Sequence, residues 1–110
     1  MENSAEWTVE QVLRAVDLVP PGCVVSYGDI ADLIGSTPRR VGTIMARHGA
    51  AVAWWRVTNA AGALPPGLLP RAREHWAAEG LTTDPDATRV RIAAHRADLV
   101  AWAAAYDRDR

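Results

Sequence analysis

The part of the chain that most constrains its fold is a pair of short helix patterns separated by a tight turn. Ser26 and Asp29 have the spacing of an N-cap and a third helical residue, and Gly35 is placed to end that helix. Thr37 and the proline after it predict the start of the next helix, because these residues are favoured as N-cap and first helical residue. Two short helices joined by a glycine turn indicate a helix-turn-helix.

The second of these helices has an apolar side and a basic side. Its inward stripe is Val41, Ile44 and Met45, and its polar residues are Thr37, Arg39, Arg40, Thr43 and Arg47. A helix that displays arginines in a helix-turn-helix is typical of DNA binding. Arginines on an exposed helix face also occur simply because they are well solvated, so the outline alone leaves both interpretations open.

Charge is distributed unevenly along the chain, although the net charge is only −1. Residues 1–32 sum to −5 and residues 74–110 to −2, whereas residues 33–73 contain six arginines and no acid. A basic segment without acids is typical of a surface that binds a polyanion. The chain also lacks lysine, which suits bidentate contacts with phosphates but is a weaker indication.

The remaining segments predict a mostly α-helical protein with short strands. Thr8 heads a capping-box pattern that predicts a first helix from about Val9 to Leu18. Residues 52–57 predict an extended stretch, which a turn at 59–62 could make a hairpin arm. After a loop at 63–67, a helix is predicted from residue 68 and is closed by Gly80. The rest of the chain predicts a strand at 90–92, a helix over 93–106 and a frayed tail at 107–110.

Two adjacent tryptophans, Trp54 and Trp55, precede Arg56 in the extended stretch. A buried indole needs a hydrogen-bond partner for its ring N–H, so neighbouring indoles are costly in an ordinary core. Either the pair flanks a binding pocket, or one ring anchors the core while the other is half exposed.

No arrangement of residues predicts an active site. The three histidines are far apart, and Cys23 has no neighbouring histidine, so we expect no metal and no other cofactor. Ser26 is better explained as a helix cap than as a nucleophile. One hundred and ten residues without a membrane span or signal peptide predict one cytoplasmic domain over 1–110, which we expect to be monomeric and to associate with the nucleoid when bound to DNA.

Three stretches resemble the DNA-binding domain of the O6-alkylguanine-DNA alkyltransferases. They are Pro21-Gly22-Cys23-Val24-Val25-Ser26-Tyr27-Gly28-Asp29-Ile30-Ala31, Arg39-Arg40-Val41-Gly42 and Trp54-Trp55-Arg56-Val57. Their order and approximate spacing match the family, and the resemblance covers roughly residues 7–80. It implies a helix-turn-helix, winged-helix-like fold, with residues 81–110 as a C-terminal wing and helix.

The resemblance also implies that the chain is not an enzyme. In active transferases the last motif is Pro-Cys-His-Arg, and its cysteine accepts the alkyl group from a flipped guanine. Trp54 stands at the cysteine position and Trp55 at the histidine position. An indole cannot replace a thiolate nucleophile. The chain is therefore similar to the alkyltransferase-like proteins, which bind alkylated guanine without repairing it.

Binding roles follow from the same resemblance. Arg39 aligns with the arginine that fills the gap left by the flipped base, and Tyr27 with the tyrosine that promotes its rotation. Trp54 would contact the O6-alkyl group in a pocket formed with Met45, Val57 and the 63–69 loop; Trp55 and Arg56 are also assigned to this pocket. The implied partner is double-stranded DNA containing O6-alkylguanine, with hand-over to nucleotide excision repair proteins.

The sequence departs from the family at three places, of which the first is a loop between Gly35 and Arg39 that is shorter than in the transferases. Ala53 replaces the proline that leads the motif, and the loop after it is apolar, with Leu64-Pro65-Pro66-Gly67-Leu68-Leu69 where relatives have polar or basic residues. Arg71 or Arg73 could substitute for them. Two alternatives stay open: an active alkyltransferase that uses another residue, and a helix-turn-helix transcriptional regulator.

Overall fold

The computed structural model describes residues 4–108, with side chains from residue 6 onward. The helices are α1 (Ser4–Asp17), α2 (Tyr27–Ile34), α3 (Pro38–His48), α4 (Leu69–Ala78), α5 (Ile92–His95) and α6 (Leu99–Arg108). Two short strands are β1 (Val25–Ser26) and β2 (Val57–Thr58), and single 3₁₀ turns span Gly49–Ala51, Trp54–Arg56 and Pro66–Leu68.

The predicted helix-turn-helix is formed by α2 and α3. The Ser26 hydroxyl accepts a hydrogen bond from the Asp29 N–H at 3.0 Å, and the Asp29 carboxylate accepts one from the Ser26 N–H at 2.9 Å, which completes a capping box. Gly35 ends α2 at φ 76°, a conformation that glycine adopts without steric cost. Thr37 caps α3 by accepting from the Arg40 N–H at 3.2 Å. Local sequence therefore fixes this unit.

The first hydrophobic core lies between α1, α2, α3 and α6. Its buried members include Val12, Val16, Ile30, Val41 and Ile44. The C-terminal helix is attached by Trp102, whose indole N–H donates to the Ala15 carbonyl at 2.9 Å. Residues beyond the resembling region thus complete the core beneath the helix-turn-helix.

A second core supports the double-tryptophan segment. Its buried residues are Val24, Leu64, Ala72, Trp76, Leu81, Val90 and Ile92, with Trp54, Trp55 and Leu69 packed against them. The indole N–H of Trp76 donates to the Trp55 carbonyl at 2.9 Å, so α4 holds the 3₁₀ turn directly. Strands β1 and β2 pair in parallel, Val25 with Val57, and both valines are buried in the first core.

The first helix begins earlier than its capping pattern predicts. Helix α1 starts at Ser4 rather than Val9, and Thr8 lies inside it, so the prediction of a cap at Thr8 is wrong. No proline or glycine separates Thr8 from the preceding residues, and the helix continues through them. A capping motif needs a chain that actually leaves the helix on its N-terminal side.

The predicted extended stretch and hairpin are also wrong. Two 3₁₀ turns occupy most of 49–56, and only Val57 and Thr58 are extended. A bond from the Trp54 N–H to the Val52 carbonyl, 2.8 Å long, bends the chain before the tryptophans. The strand then pairs with distant β1 instead of a following hairpin arm, because this pairing buries Val25 and Val57 together in the first core.

The C-terminal predictions need two corrections. Residues 90–92 form no strand: an isolated antiparallel bridge joins Arg89 to Ala63, and Ile92 already begins α5. The predicted helix over 93–106 is interrupted because the Ala97 N–H donates to the Val24 carbonyl at 2.9 Å and continues the β1 edge. Residues 107–108 belong to α6, and residues 109–110 of the predicted frayed tail lie outside the described residues. Among residues 4–108, no helix is long and apolar enough to cross a membrane.

Candidate nucleic-acid interface

The predicted DNA-contacting residues of α3 lie on one exposed surface, the arginine face. Thr37, Arg39, Arg40, Thr43 and Arg47 border a shallow groove of about 570 Å³, together with Val9, Ile44 and His48. Within residues 4–108, no carboxylate or carbonyl pairs with the guanidinium group of Arg39, Arg40 or Arg47. These three cations are therefore available to a phosphate backbone.

Helix α1 brings negative charge to the edge of this surface. Glu6 and Glu10 lie beside Val9 and His48, and His48 also borders the arginine face. The acidic N-terminal segment thus does not lie wholly away from α3. Its carboxylates repel phosphates at short range and mark one boundary of a polyanion footprint.

A small apolar cavity, the indole cavity, lies between α2, α3 and the turn that carries the tryptophans. Its volume is about 50 Å³, and its lining is Tyr27, Gly42, Met45, Ala46, Trp54, Val57, Leu64, Pro65 and Leu68. The structure thereby brings the predicted 63–69 loop together with four predicted site residues, which are Tyr27, Met45, Trp54 and Val57. Burial raises the pKa of the Tyr27 phenol, which therefore stays protonated and able to donate a hydrogen bond at neutral pH.

Glycine 42 allows Tyr27 to reach the cavity. A Cβ atom at this position would lie 3.8 Å from the Tyr27 ring, which is ordinary contact, so only a longer side chain would displace the phenol. Helix α3 therefore contributes to two surfaces: its arginine face, and the cavity wall formed by Gly42, Met45 and Ala46.

Trp54 is half-buried at the cavity wall and is held by aromatic contacts. It meets Trp55 edge-on with ring centroids 5.7 Å apart, and it meets His75 edge-on at 5.8 Å. The Arg71 guanidinium carbon lies 5.5 Å from the Trp54 ring centroid. Arg73 is less available than Arg71, since its Nε donates to the Ala87 carbonyl at 2.8 Å.

Trp55 and Arg56 are turned away from the indole cavity, and neither lines it. The Trp55 ring stacks on His75 at 3.6 Å, and its indole N–H donates to Glu79 Oε2 at 2.8 Å. Arg56 forms a forked ion pair with Glu79, with Nη2–Oε2 at 2.7 Å, and donates through Nη1 to the Val19 carbonyl at 3.1 Å. Both side chains fix the turn that presents Trp54.

Glu79 is the acceptor at the centre of this network, and no sequence pattern pointed to it. Its Oε1 also accepts from the Gly22 N–H at 3.0 Å. Burial alone would raise the pKa of the Glu79 carboxyl, but hydrogen bonds from Arg56, Gly22 and Trp55 outweigh it and lower the pKa. Ion pairs between residues as far apart in the chain as Arg56 and Glu79 have no characteristic spacing, so the sequence alone could not predict this pair.

The lining of the indole cavity contains no side chain suited to nucleophilic attack. Cys23 is half-buried and packs against the first core instead. Within the described residues, no three His, Cys, Asp or Glu side chains come close enough together to hold a metal ion. What the cavity offers is a flat indole, a neutral phenol and aliphatic walls, which suit stacking and apolar contact.

Comparison with known proteins agrees with this architecture. Residues 8–81 match the family model of the 6-O-methylguanine DNA methyltransferase DNA-binding domain. The DNA base-flipping proteins of Escherichia coli K12 and Shigella flexneri are each 37% identical over 78 residues, which is 66% of this chain and 60% of theirs.

A solved structure has the same fold. It is the crystal structure of S. pombe Atl1 in complex with damaged DNA containing O6-carboxymethylguanine, with a TM-score of 0.73 and 23% identity over 89% of this chain and 99% of that chain. Through its helix-turn-helix region, this chain belongs to the family of the 6-O-methylguanine DNA methyltransferase DNA-binding domain.

Proposed function

We propose that this protein is a non-enzymatic reader of O6-alkylguanine in duplex DNA that binds its lesion by base flipping. The proposal rests on the observation that α3 contributes to two different surfaces. One face presents the guanidinium groups of Arg39, Arg40 and Arg47, which have no ion-pair partner in the part of the chain that the structure describes, and another forms a wall of the indole cavity. A duplex held on the arginine face would place a flipped base next to Trp54.

The arginine face would supply the sequence-independent part of binding. Guanidinium groups bind phosphates in a bidentate manner and release condensed counterions from the duplex, so affinity should fall steeply with salt. Arg39 begins this face in the first turn of α3. Its position supports the role that the resemblance implies, which is to fill the gap that the flipped base leaves in the stack.

The indole cavity would supply the selectivity for damage. Extruding a base costs a few kcal/mol, and less where the base pairs poorly because it is damaged. Stacking on an aromatic side chain returns about 1–3 kcal/mol per base. Trp54 is held edge-on by Trp55 and His75 and so offers such a surface without prior rearrangement of its ring.

The absence of alkyl transfer is part of the same proposal. Trp54 occupies the position at which the active transferases carry their cysteine, and an indole carbon or nitrogen is not a nucleophile comparable to a thiolate. The relatives named as DNA base-flipping proteins support the base-flipping part of the proposal. Hand-over of the lesion to nucleotide excision repair stays a prediction of the resemblance.

Binding to matched duplexes tests the proposal. The parent protein should bind a duplex with one O6-methylguanine more tightly than the undamaged duplex. Arg39→Ala and Tyr27→Ala should each weaken lesion binding about tenfold, a loss comparable to one stacked contact. Arg89→Ala removes the same charge from an exposed site outside the arginine face and serves as the control.

Three outcomes would contradict the proposal. Lesion binding that survives Arg39→Ala and Tyr27→Ala unchanged would remove the base-flipping account. Label that passes from radiolabelled methylated DNA to the protein would favour an active transferase instead. A preference for a DNA sequence rather than for damage would favour a transcriptional regulator.

A further inference from the structure

We infer that the indole cavity selects uncharged alkyl adducts and rejects O6-carboxymethylguanine. This inference rests on the proposed function and specifies its substrate class. The structure of S. pombe Atl1 was determined with O6-carboxymethylguanine DNA, so the inference separates this chain from that protein in its preference.

The lining of the cavity contains no cation. Its polar side-chain groups are the Tyr27 phenol and the Trp54 indole N–H, both neutral, and the other lining residues offer aliphatic carbon or a thioether. Burial raises the Tyr27 pKa, which reflects the low polarity of this environment. A carboxylate placed here would lose its hydration and find no counter-ion in return.

Of the nearest candidates for a counter-ion, Arg56 and Arg73 are engaged with other groups and Arg71 lies outside the lining. Arg71 lies over the Trp54 ring on the exposed side of α4 and is not part of the cavity lining. Arg56 is paired with Glu79, and Arg73 donates to the Ala87 carbonyl. The apolar loop contributes Leu64, Pro65 and Leu68 to the lining.

The closed cavity is also small. Its volume of about 50 Å³ compares with about 30 Å³ for one water molecule in the liquid. A purine does not fit in this space, so we expect it to enter as the loop that carries Pro65 and Leu68 moves outward; Leu68 ends the 3₁₀ turn and Pro65 precedes it. Those two side chains then contact the group attached to O6, so their apolar character affects which adduct is bound. A methyl group can replace the apolar contact between the Pro65 and Leu68 side chains, whereas a charged carboxylate cannot.

Three duplexes test this inference: undamaged guanine, O6-methylguanine and O6-carboxymethylguanine, each titrated at physiological salt. The parent protein should bind the methyl lesion at least tenfold more tightly than the carboxymethyl lesion. Leu68→Arg places a cation at the rim of the cavity and should lower this ratio at least fivefold. Val100→Arg adds the same charge at a residue that is 82% exposed on α6 and should leave the ratio unchanged.

The outcomes distinguish this inference from the proposed function. Equal affinity for the two lesions, or tighter binding of carboxymethyl, overturns the inference while the proposed function survives. Equal affinity for all three duplexes overturns both. An identical change of the ratio in Leu68→Arg and Val100→Arg would show a long-range effect of charge and would overturn the role of the cavity wall. The ratio measured with the parent protein decides the inference even if Leu68→Arg does not fold.

Discussion

Substitution of Glu79 should test most clearly whether its ion pair stabilises the turn that carries the two tryptophans. Its carboxylate and the Arg56 guanidinium are 13% and 15% exposed, so Glu79→Gln leaves a mostly buried cation without its counter-charge. Breaking a buried pair from one side costs about 3–5 kcal/mol. The residual solvent contact and the amide oxygen that remains lower our expectation to about 2–4 kcal/mol.

Thermal and urea unfolding measure this loss. At about 4 °C per kcal/mol, Tm should fall by roughly 8–16 °C. Glu74→Gln changes an exposed residue of α4, the helix that Glu79 immediately follows; it makes the same chemical change and should alter the free energy of unfolding by less than about 0.5 kcal/mol. If Glu79→Gln and Glu74→Gln were equally stable, the network around Glu79 would not be what holds the turn.

The pH dependence of the free energy of unfolding tests the contribution of ionised Glu79 separately. Because the folded pKa of Glu79 lies below its unfolded value, the ionised carboxylate stabilises the fold above the unfolded pKa of about 4.3. That contribution is lost as pH falls through the lower, folded pKa. The stability difference between the parent and Glu79→Gln should be constant above about pH 5 and shrink below it. A difference that grows on acidification would contradict the pKa direction.

Two further substitutions test packing and charge. Gly62→Ala should cost about 2 kcal/mol or more in urea unfolding, since its φ is +82° and a Cβ would collide with the Val90 carbonyl oxygen. Gly67→Ala, where no atom lies within 4 Å, should be nearly neutral, and an equal loss in both would refute the clash. Glu10→Gln should tighten binding to undamaged DNA about two- to fivefold at low salt, with little effect at high salt. Asp32→Asn removes the same charge beside α6, and an equal gain there would refute a local effect.

Sequence reasoning succeeded where short-range chemistry decides the structure. The caps at Ser26 and Thr37 and the turn at Gly35 are each determined by neighbouring residues, so the helix-turn-helix was predictable. The arginines of α3 were predictable for the same reason, because helical spacing alone places them on one side. Four of the residues around the indole cavity came from the motif resemblance, since no spacing rule brings Tyr27 next to Trp54.

The errors arose where distant segments decide the structure. Parallel pairing of Val57 with Val25 overrode the local hairpin pattern, and the hydrogen bond from Ala97 to Val24 interrupted a sequence that is helical by periodicity. Glu79 was missed because its partners lie 23 or more residues away. Long-range contacts of this kind leave no periodic trace in one sequence.

The central claim is that the arginine face and the indole cavity together read damage rather than sequence. Its most direct test is the ratio of dissociation constants for one duplex with and without a single O6-methylguanine, at physiological salt, where non-specific phosphate binding is weakened. The account predicts at least tenfold tighter binding to the lesion, with the alkyl group still on the DNA after the complex is dissociated. Equal affinity for the two duplexes would contradict it.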